Sequence, residues 1–157
     1  MSDDLYEQDV LAWSESQAAL LRRLARGERV NDLDWAHVVE EIEDVGFSEL
    51  NAVRGDLRLI MTHLLKLRSW PDDQSVPHWR GEVVTFQRDA AQRFAPSMRQ
   101  RIDLERLYRD VVAAVSAIRS DDDPPLTVPT SCPFRPDRLL AEPIPGLVAT
   151  PRDAAAG

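Results

Sequence analysis

The segment DLDWAHVVEEIEDVGFSELNAVRGDLRLIMTHLLKL, residues 32–67, decides the fold, because its apolar residues recur at the three- and four-residue spacing of α-helices. Its first part predicts a helix that begins near Asp32 or Asp34, both good N-cap residues, and ends at Gly46. Its second part predicts another helix that begins near Ser48. The residues expected to be buried are Trp35, Val38, Val39, Ile42 and Val45 in the first helix and Leu50, Val53, Leu57, Ile60, Met61, Leu64 and Leu65 in the second.

Three more helices are predicted around this segment. One runs from about Leu5 to Arg26 and ends at Gly27, a residue type that commonly follows helices. Another begins at Pro77, which suits a first helical turn. The last begins at Ser97, which forms a predicted capping box with Gln100. The inner faces are expected to carry Tyr6, Val10, Trp13, Gln17, Leu20, Leu21 and Leu24; Trp79, Val83, Phe86, Ala90 and Phe94; and Leu104, Leu107, Tyr108, Val111, Val115 and Ile118.

The chain loses its helical periodicity from Asp121 onward. Most of its eleven prolines lie in residues 124–151, and only a short turn is predicted, around Asp137–Ala141. The sequence therefore predicts an all-α fold, with a bundle of about five helices in residues 1–120. Residues 121–157 are expected to form an extended proline-rich arm that packs on the bundle or on a partner, with the last residues disordered.

Length and composition limit the class of protein. A chain of 157 residues can bury one core without disulfides, and its single cysteine, Cys132, excludes an internal one. The start, MSDDLYEQD, does not resemble a signal peptide, and no apolar run has the length of a membrane span. We therefore expect a cytoplasmic protein that does not bind a membrane.

Charge is distributed unevenly along the chain. The net charge of −8 divides into −9 for residues 1–56, +4 for residues 57–119 and −3 for residues 120–157. This split suggests that the halves neutralise each other within the fold or across a homodimer. A pI of about 4.9 argues against nucleic acid as the partner.

The stretch MTHLLKLRSWPDDQSVPHWRGE, residues 61–82, contains two of the three histidines, two of the four tryptophans and the only lysine. Lys66 lies near the end of a predicted helix, where a cation is favoured. His78 is expected to be exposed in a first helical turn, and Arg80 to pair with the acidic residues of the helix that is predicted to end at Gly46.

An antiparallel hairpin across Gly46 would bring the polar residues of two helices together. It would place Glu40, Glu41 and Asp44 opposite His63 and Lys66. We expect these side chains to form structural pairs, such as Glu40 or Glu41 with Lys66 and His63, that fix the register of the helices. The alternative is a divalent metal site built from Glu41, Asp44 and His63; no other cofactor is expected.

Several enzyme signatures are absent from the sequence. It has neither the His-Glu-x-x-His of zinc proteases nor the Glu-x-x-His of di-iron bundles, and it has no Gly-x-Ser-x-Gly elbow. Cys132 has no histidine nearby in sequence to lower its pKa, so it is a poor nucleophile candidate. No catalytic residue is assigned from the sequence.

The order of several motifs resembles a bacterial family known only as domain of unknown function twenty-nine. The matching segments span residues 5 to about 143 and are YEQDVLAWSESQAALLR, LDWAHVVEEIEDVGFSE, HLLKL, HWRGEV, APSMR and CPFRPDRLLAEP. The resemblance implies a small all-helical cytoplasmic protein with no established activity. Met98 stands where the family pattern usually has Leu. The resemblance singles out Glu40, Glu41, Glu43, Gly46, His63, Lys66, Trp79, Pro96 and Ser97.

Three hypotheses about function follow. The leading one is a non-catalytic interaction or regulatory module that forms a homodimer or binds another protein, which fits the charge split and the proline-rich arm. The alternative is a metal-dependent hydrolase that acts on an anionic small molecule or nucleotide. A weaker alternative is nucleic-acid binding by the basic middle segment, including Arg99, Arg101, Arg106 and Arg109.

Overall fold

A computed structural model describes residues 2–149 and consists of helices joined by short loops and an irregular C-terminal arm. The helices are α1 (Ser2–Gln8), α2 (Val10–Ala25), α3 (Trp35–Ser69), α4 (Val76–Arg93), a 3-10 helix (Pro96–Arg101), α5 (Leu104–Ile118), α6 (Pro136–Ala141) and α7 (Ile144–Val148). No strand is present in the described part, so the all-α prediction is confirmed.

Contacts between residues divide the chain into two units, residues 1–48 and residues 49–157. The division falls within α3, after Ser48. The first unit contains α1, α2 and the first turns of α3, and the second contains the rest of α3, α4, α5 and the arm.

The largest difference from the sequence prediction is that α3 is one helix of 35 residues. Gly46 lies inside it and not after it, so the predicted hairpin across Gly46 is wrong. Glycine in a helix interior costs only about 1 kcal/mol relative to alanine, and neither proline nor a polar loop follows Gly46 to stop the helix. Glu41 and His63 therefore lie on the same helix, 22 positions apart, and not on two facing helices.

Two other predicted boundaries are also different. The first predicted helix is divided at Asp9, whose carboxylate accepts a hydrogen bond from the backbone N–H of Ala12 (3.0 Å) and so caps α2. Ser97 caps no helix, because it lies within the 3-10 helix, and α5 is capped separately by Asp103. The predicted stop at Gly27 is confirmed, since Gly27 has a φ of 82° and its N–H donates to Leu24 O (2.9 Å).

The core of the second unit is built from α3, α4 and α5, and the arm completes it. Leu57 and Ile60 of α3, Val83 of α4 and Val111 of α5 are almost fully buried. Leu139 of α6 and Leu147 of α7 are buried in the same cluster, so the arm packs against its own chain. Helix α6 confirms the turn predicted at residues 137–141, whereas α7 was not predicted. The predicted disorder of the last residues concerns residues 150–157, outside the described part.

Polar contacts hold the arm along its length. The hydroxyl of Tyr108 donates to Pro129 O (2.7 Å), and the amide of Gln87 donates to Leu139 O and Glu142 O (both 3.0 Å). Because these acceptors are backbone carbonyls, they fix the path of the arm whatever its side chains are. Among the described residues, no helix is both long enough and apolar enough to span a membrane.

Candidate functional site

A cluster of polar and aromatic side chains in the first unit is centred on Asp34. Its carboxylate accepts hydrogen bonds from Trp13 Nε1 (3.1 Å) and His37 Nδ1 (2.8 Å), and its backbone N–H donates to Gln17 Oε1 (2.8 Å). Trp13, Gln17 and Asp34 are all buried. Asp34 therefore links α2 to the start of α3, and the hydrogen bond from His37 is the main cause that lowers the pKa of Asp34.

Tyr6 of α1 extends this cluster. Its ring stacks on His37, with centroids 3.9 Å apart, and its hydroxyl donates to Glu41 Oε1 (2.7 Å). That hydrogen bond is the main cause that raises the pKa of Tyr6 to about 12. Together, these contacts join α1, α2 and the start of α3.

The stretch 61–82 forms a second cluster, at the end of α3 and the start of α4. The ring of His63 lies near the rings of His78 and Phe86, with centroids 6.5 and 6.3 Å away, and Lys66 Nζ lies 5.6 Å from the ring centroid of Trp79. His63 Nδ1 is buried and has no hydrogen-bond partner in the described part of the chain. Burial is the largest cause that lowers the pKa of His63, and the charge of Lys66 is the second.

The structure brings only some of the predicted site residues together. His63, Lys66 and His78 lie within the second cluster, whereas Glu41 is bonded to Tyr6, and Glu40 and Asp44 are exposed on α3. No group of three His, Cys, Asp or Glu side chains within residues 2–149 is arranged to hold a metal ion.

Arg80, the remaining candidate, lines a cavity of about 830 Å³ between the end of α3, α4 and the arm. Its neighbours there include Leu67, Val84, Ile144 and Val148, so the cavity is mainly apolar. Arg68 also lines the cavity and donates hydrogen bonds to the carbonyls of Thr127 and Val148 (both 2.8 Å). Arg80 thus lies beside the arm.

An apolar stripe on α3 is exposed in the first unit. It consists of Trp35, Val39, Ile42 and Val45, whose exposed fractions are 56%, 49%, 67% and 67%. The sequence analysis expected all four to be buried. In the second unit, by contrast, α3 buries apolar residues in the core, among them Leu50, Val53, Leu57, Ile60 and Leu64.

Gly46 lies beside the apolar stripe, and packing against the described residues does not require a glycine there. A Cβ atom added there would meet nothing within 4 Å. Alanine would favour the helix more at this position. A glycine on an exposed apolar helix face is what a closely approaching second helix would require.

A group of arginines that was not predicted from the sequence includes two residues of α3. Arg54 and Arg58 flank Gly55 and share a cavity with Arg101 and Arg106, which precede and begin α5. The four-residue spacing of Arg54 and Arg58 was a usable signal, because it places both on one helix face. Of the other arginines that the nucleic-acid hypothesis named, Arg99 pairs with Asp137 (2.6 and 2.8 Å).

These features define an all-helical protein whose exposed features include an apolar stripe and an arginine-lined cavity. The family described as domain of unknown function DUF29 matches residues 5–143, and the chain belongs to it. An alpha-helical protein of unknown function from Rhodospirillum rubrum is similar in structure, with a TM-score of 0.69 and 32% identity over 91% of this chain and 94% of that one. No curated protein matches the chain.

Proposed function

We propose that this protein is a non-catalytic interaction module and that it forms a homodimer through the apolar stripe. The observation that carries the proposal is the exposure of Trp35, Val39, Ile42 and Val45 on one face of a helix. Contiguous apolar surface on a protein in water is stabilised when a partner covers it. The proposal includes the cytoplasmic location that was predicted from the sequence.

The spacing of the residues along the stripe favours a second copy of the chain as the partner. Trp35, Val39, Ile42 and Gly46 are separated by four, three and four positions, a spacing that reads the same in both directions. A second α3 that runs antiparallel would therefore place each Trp35 against a Gly46, and each Val39 against an Ile42. A large indole opposite a residue with no side chain allows close packing of the two helices.

Two acidic residues of α3, Glu40 and Asp44, do not obstruct this pairing. At about 100° per residue, Glu40 and Asp44 each lie about 160° around the helix from Ile42, on the opposite side. Glu41 is held by the hydroxyl of Tyr6. The proline-rich arm gives the dimer no support, because it packs against its own chain.

Sedimentation equilibrium of wild-type protein and two matched variants tests this proposal. Ile42→Glu places a carboxylate in the centre of the stripe, and we expect it to convert the dimer to a folded monomer, because Ile42 is already 67% exposed in the single chain. Ile118→Glu makes the same change at a residue that is 63% exposed at the end of α5, and we expect it to remain dimeric. A wild-type protein that is monomeric at high concentration would contradict the homodimer, as would equal dissociation of both variants.

A further inference from the structure

The second unit contains a cavity of about 470 Å³ that is unusually rich in arginine. Helix α3 contributes Arg54 and Arg58, and the segment at the start of α5 contributes Arg101 and Arg106. Two carboxylates, those of Asp103 and Asp110, also line the cavity. Four guanidinium groups against two carboxylates leave an excess of positive charge in a concave site.

The hydrogen bonds of the lining residues leave most of this charge available to a ligand. Asp103 is used locally, since its carboxylate caps α5 by accepting from the backbone N–H of Arg106 (3.0 Å). Arg54 is positioned by bonds to Asn51 Oδ1 (3.1 Å) and Arg101 O (2.6 Å). Within residues 2–149, the side chains of Arg58, Arg101 and Arg106 donate no hydrogen bond and form no ion pair with the protein.

Gly55 provides an independent observation in the same cavity. It lies in the interior of α3, where glycine is disfavoured, and a Cβ atom added there would meet nothing within 4 Å. Packing against the described residues therefore does not explain the glycine. A missing side chain on the wall of a cavity allows a ligand to approach the helix closely.

We propose that this cavity binds a small molecule that carries a group of more than one phosphate, such as a diphosphate. The planar guanidinium group forms paired hydrogen bonds with phosphate oxygens, and several arginines around one cavity suit a ligand with several such oxygens. A volume within the usual range for small-ligand sites favours a small molecule over a polynucleotide. The net charge of −8 would also repel a long polyanion. This site is separate from the apolar stripe, and the proposal does not depend on the dimer.

Calorimetric titration of the full-length protein with inorganic pyrophosphate, and separately with ADP, tests the site. The double variant Arg58→Gln/Arg106→Gln removes two charges from the cavity, and Arg22→Gln/Arg88→Gln removes two exposed arginines that do not line it. We expect affinity to fall by about tenfold or more in the first variant and to change by no more than about twofold in the second. Equal losses in the two variants would indicate a general charge effect and overturn the proposal.

Glycine variants test the close approach without a change of charge. Gly55→Ala is expected to weaken pyrophosphate binding while the helix stays intact, because alanine is the better helix former. Gly81→Ala is the matched control, since Gly81 also lies in a helix with open space around it. Full binding by Gly55→Ala, or no binding by the wild type at millimolar pyrophosphate, would overturn the proposal. Much tighter binding of a single-stranded RNA oligonucleotide than of ADP, through the same arginines, would also overturn the proposal. The ligand would then be a polynucleotide.

Discussion

The surroundings of His63 do not satisfy its imidazole ring. Its ring is half-buried next to Phe86, and its Nδ1 atom is buried without a partner among the described residues. Burial and the positive charges of Lys66 and His78 lower its pKa, while the charge of Glu82 opposes them. The folded protein therefore favours the neutral imidazole, which makes stability depend on pH.

We expect the free energy of unfolding to decrease as the pH falls below about 6.5, the pKa of histidine in an unfolded chain. The sign follows from the lowered pKa of His63: in this range the unfolded chain binds a proton that the folded chain excludes. The loss is complete once the pH is below the pKa of the folded state. Urea unfolding between about pH 7 and pH 5 measures the change.

The variant His63→Leu is expected to flatten this part of the pH profile and to be at least as stable as the parent near pH 7, because it removes a buried unsatisfied nitrogen. Lys66→Met should flatten the profile only in part, since it removes one of several causes of the shift. An unchanged profile in His63→Leu would show that other groups control the pH dependence.

At the scale of elements, the long helix α3 shows what the sequence could and could not establish. The start predicted near Asp32 or Asp34 and the apolar periodicity of residues 50–65 are both reproduced, since α3 begins at Trp35. The predicted end of the helix at Gly46 is not reproduced. A single glycine only weakly disfavours a helix, and the apolar residues that follow it in α3 gain more from burial in helical form. The predicted polar cluster required a hairpin at Gly46. Because there is no hairpin, Glu41 contacts Tyr6, whereas His63 lies near His78 and Phe86. Burial of Trp35 and Ile42 was expected from periodicity, which identifies an apolar face but not what covers it.

Gly46→Ala separates the stability of the helix from the association of two copies. We expect the monomer to gain about 1 kcal/mol in its free energy of unfolding, because alanine is the better helix former and the added Cβ meets nothing. The dimer is expected to weaken, because the same Cβ would face Trp35 of the second copy. Urea unfolding at low protein concentration and sedimentation equilibrium measure the two effects. Gly81→Ala should leave association unchanged, and dimerisation of Gly46→Ala at full strength would contradict the antiparallel pairing.

The arm contributes buried side chains to the core of the second unit. A substitution can measure how much they add to the free energy of unfolding. Leu139 of α6 is 0% exposed, so Leu139→Ala should lower the free energy of unfolding by about 2–5 kcal/mol. Leu59→Ala is the control, since Leu59 is 39% exposed on α3 and should cost less than about 1 kcal/mol. Equal costs would mean that the arm is not packed as described. Urea unfolding of both variants provides the comparison.

At the scale of the whole molecule, the net negative charge comes from the first unit alone. Residues 1–48 have a net charge of −8, and residues 49–157 have none. Two copies joined through the first unit would therefore bring like charges towards each other, whereas a phosphate-bearing ligand would meet an excess of arginine. These two associations should respond to salt in opposite directions.

We expect the dimer to tighten by a few-fold as NaCl is raised from about 0.1 M to about 1 M, because the Debye length falls from about 10 Å to about 3 Å. Pyrophosphate binding should weaken over the same range. Sedimentation equilibrium and calorimetric titration at matched salt concentrations measure the two responses. A dimer that dissociates as salt is added would show that opposite charges, and not the apolar stripe, hold the copies together.

The contribution of Leu139 and Leu147 to the core also bears on synthesis in the cell. Both residues lie late in the chain, and the helices that they cover are translated first. A ribosome-bound chain that lacks them leaves apolar surface of α3, α4 and α5 uncovered, and so is a substrate for chaperones or proteases. Messages that end prematurely before residue 139 should therefore yield little accumulated product, even though they encode every long helix.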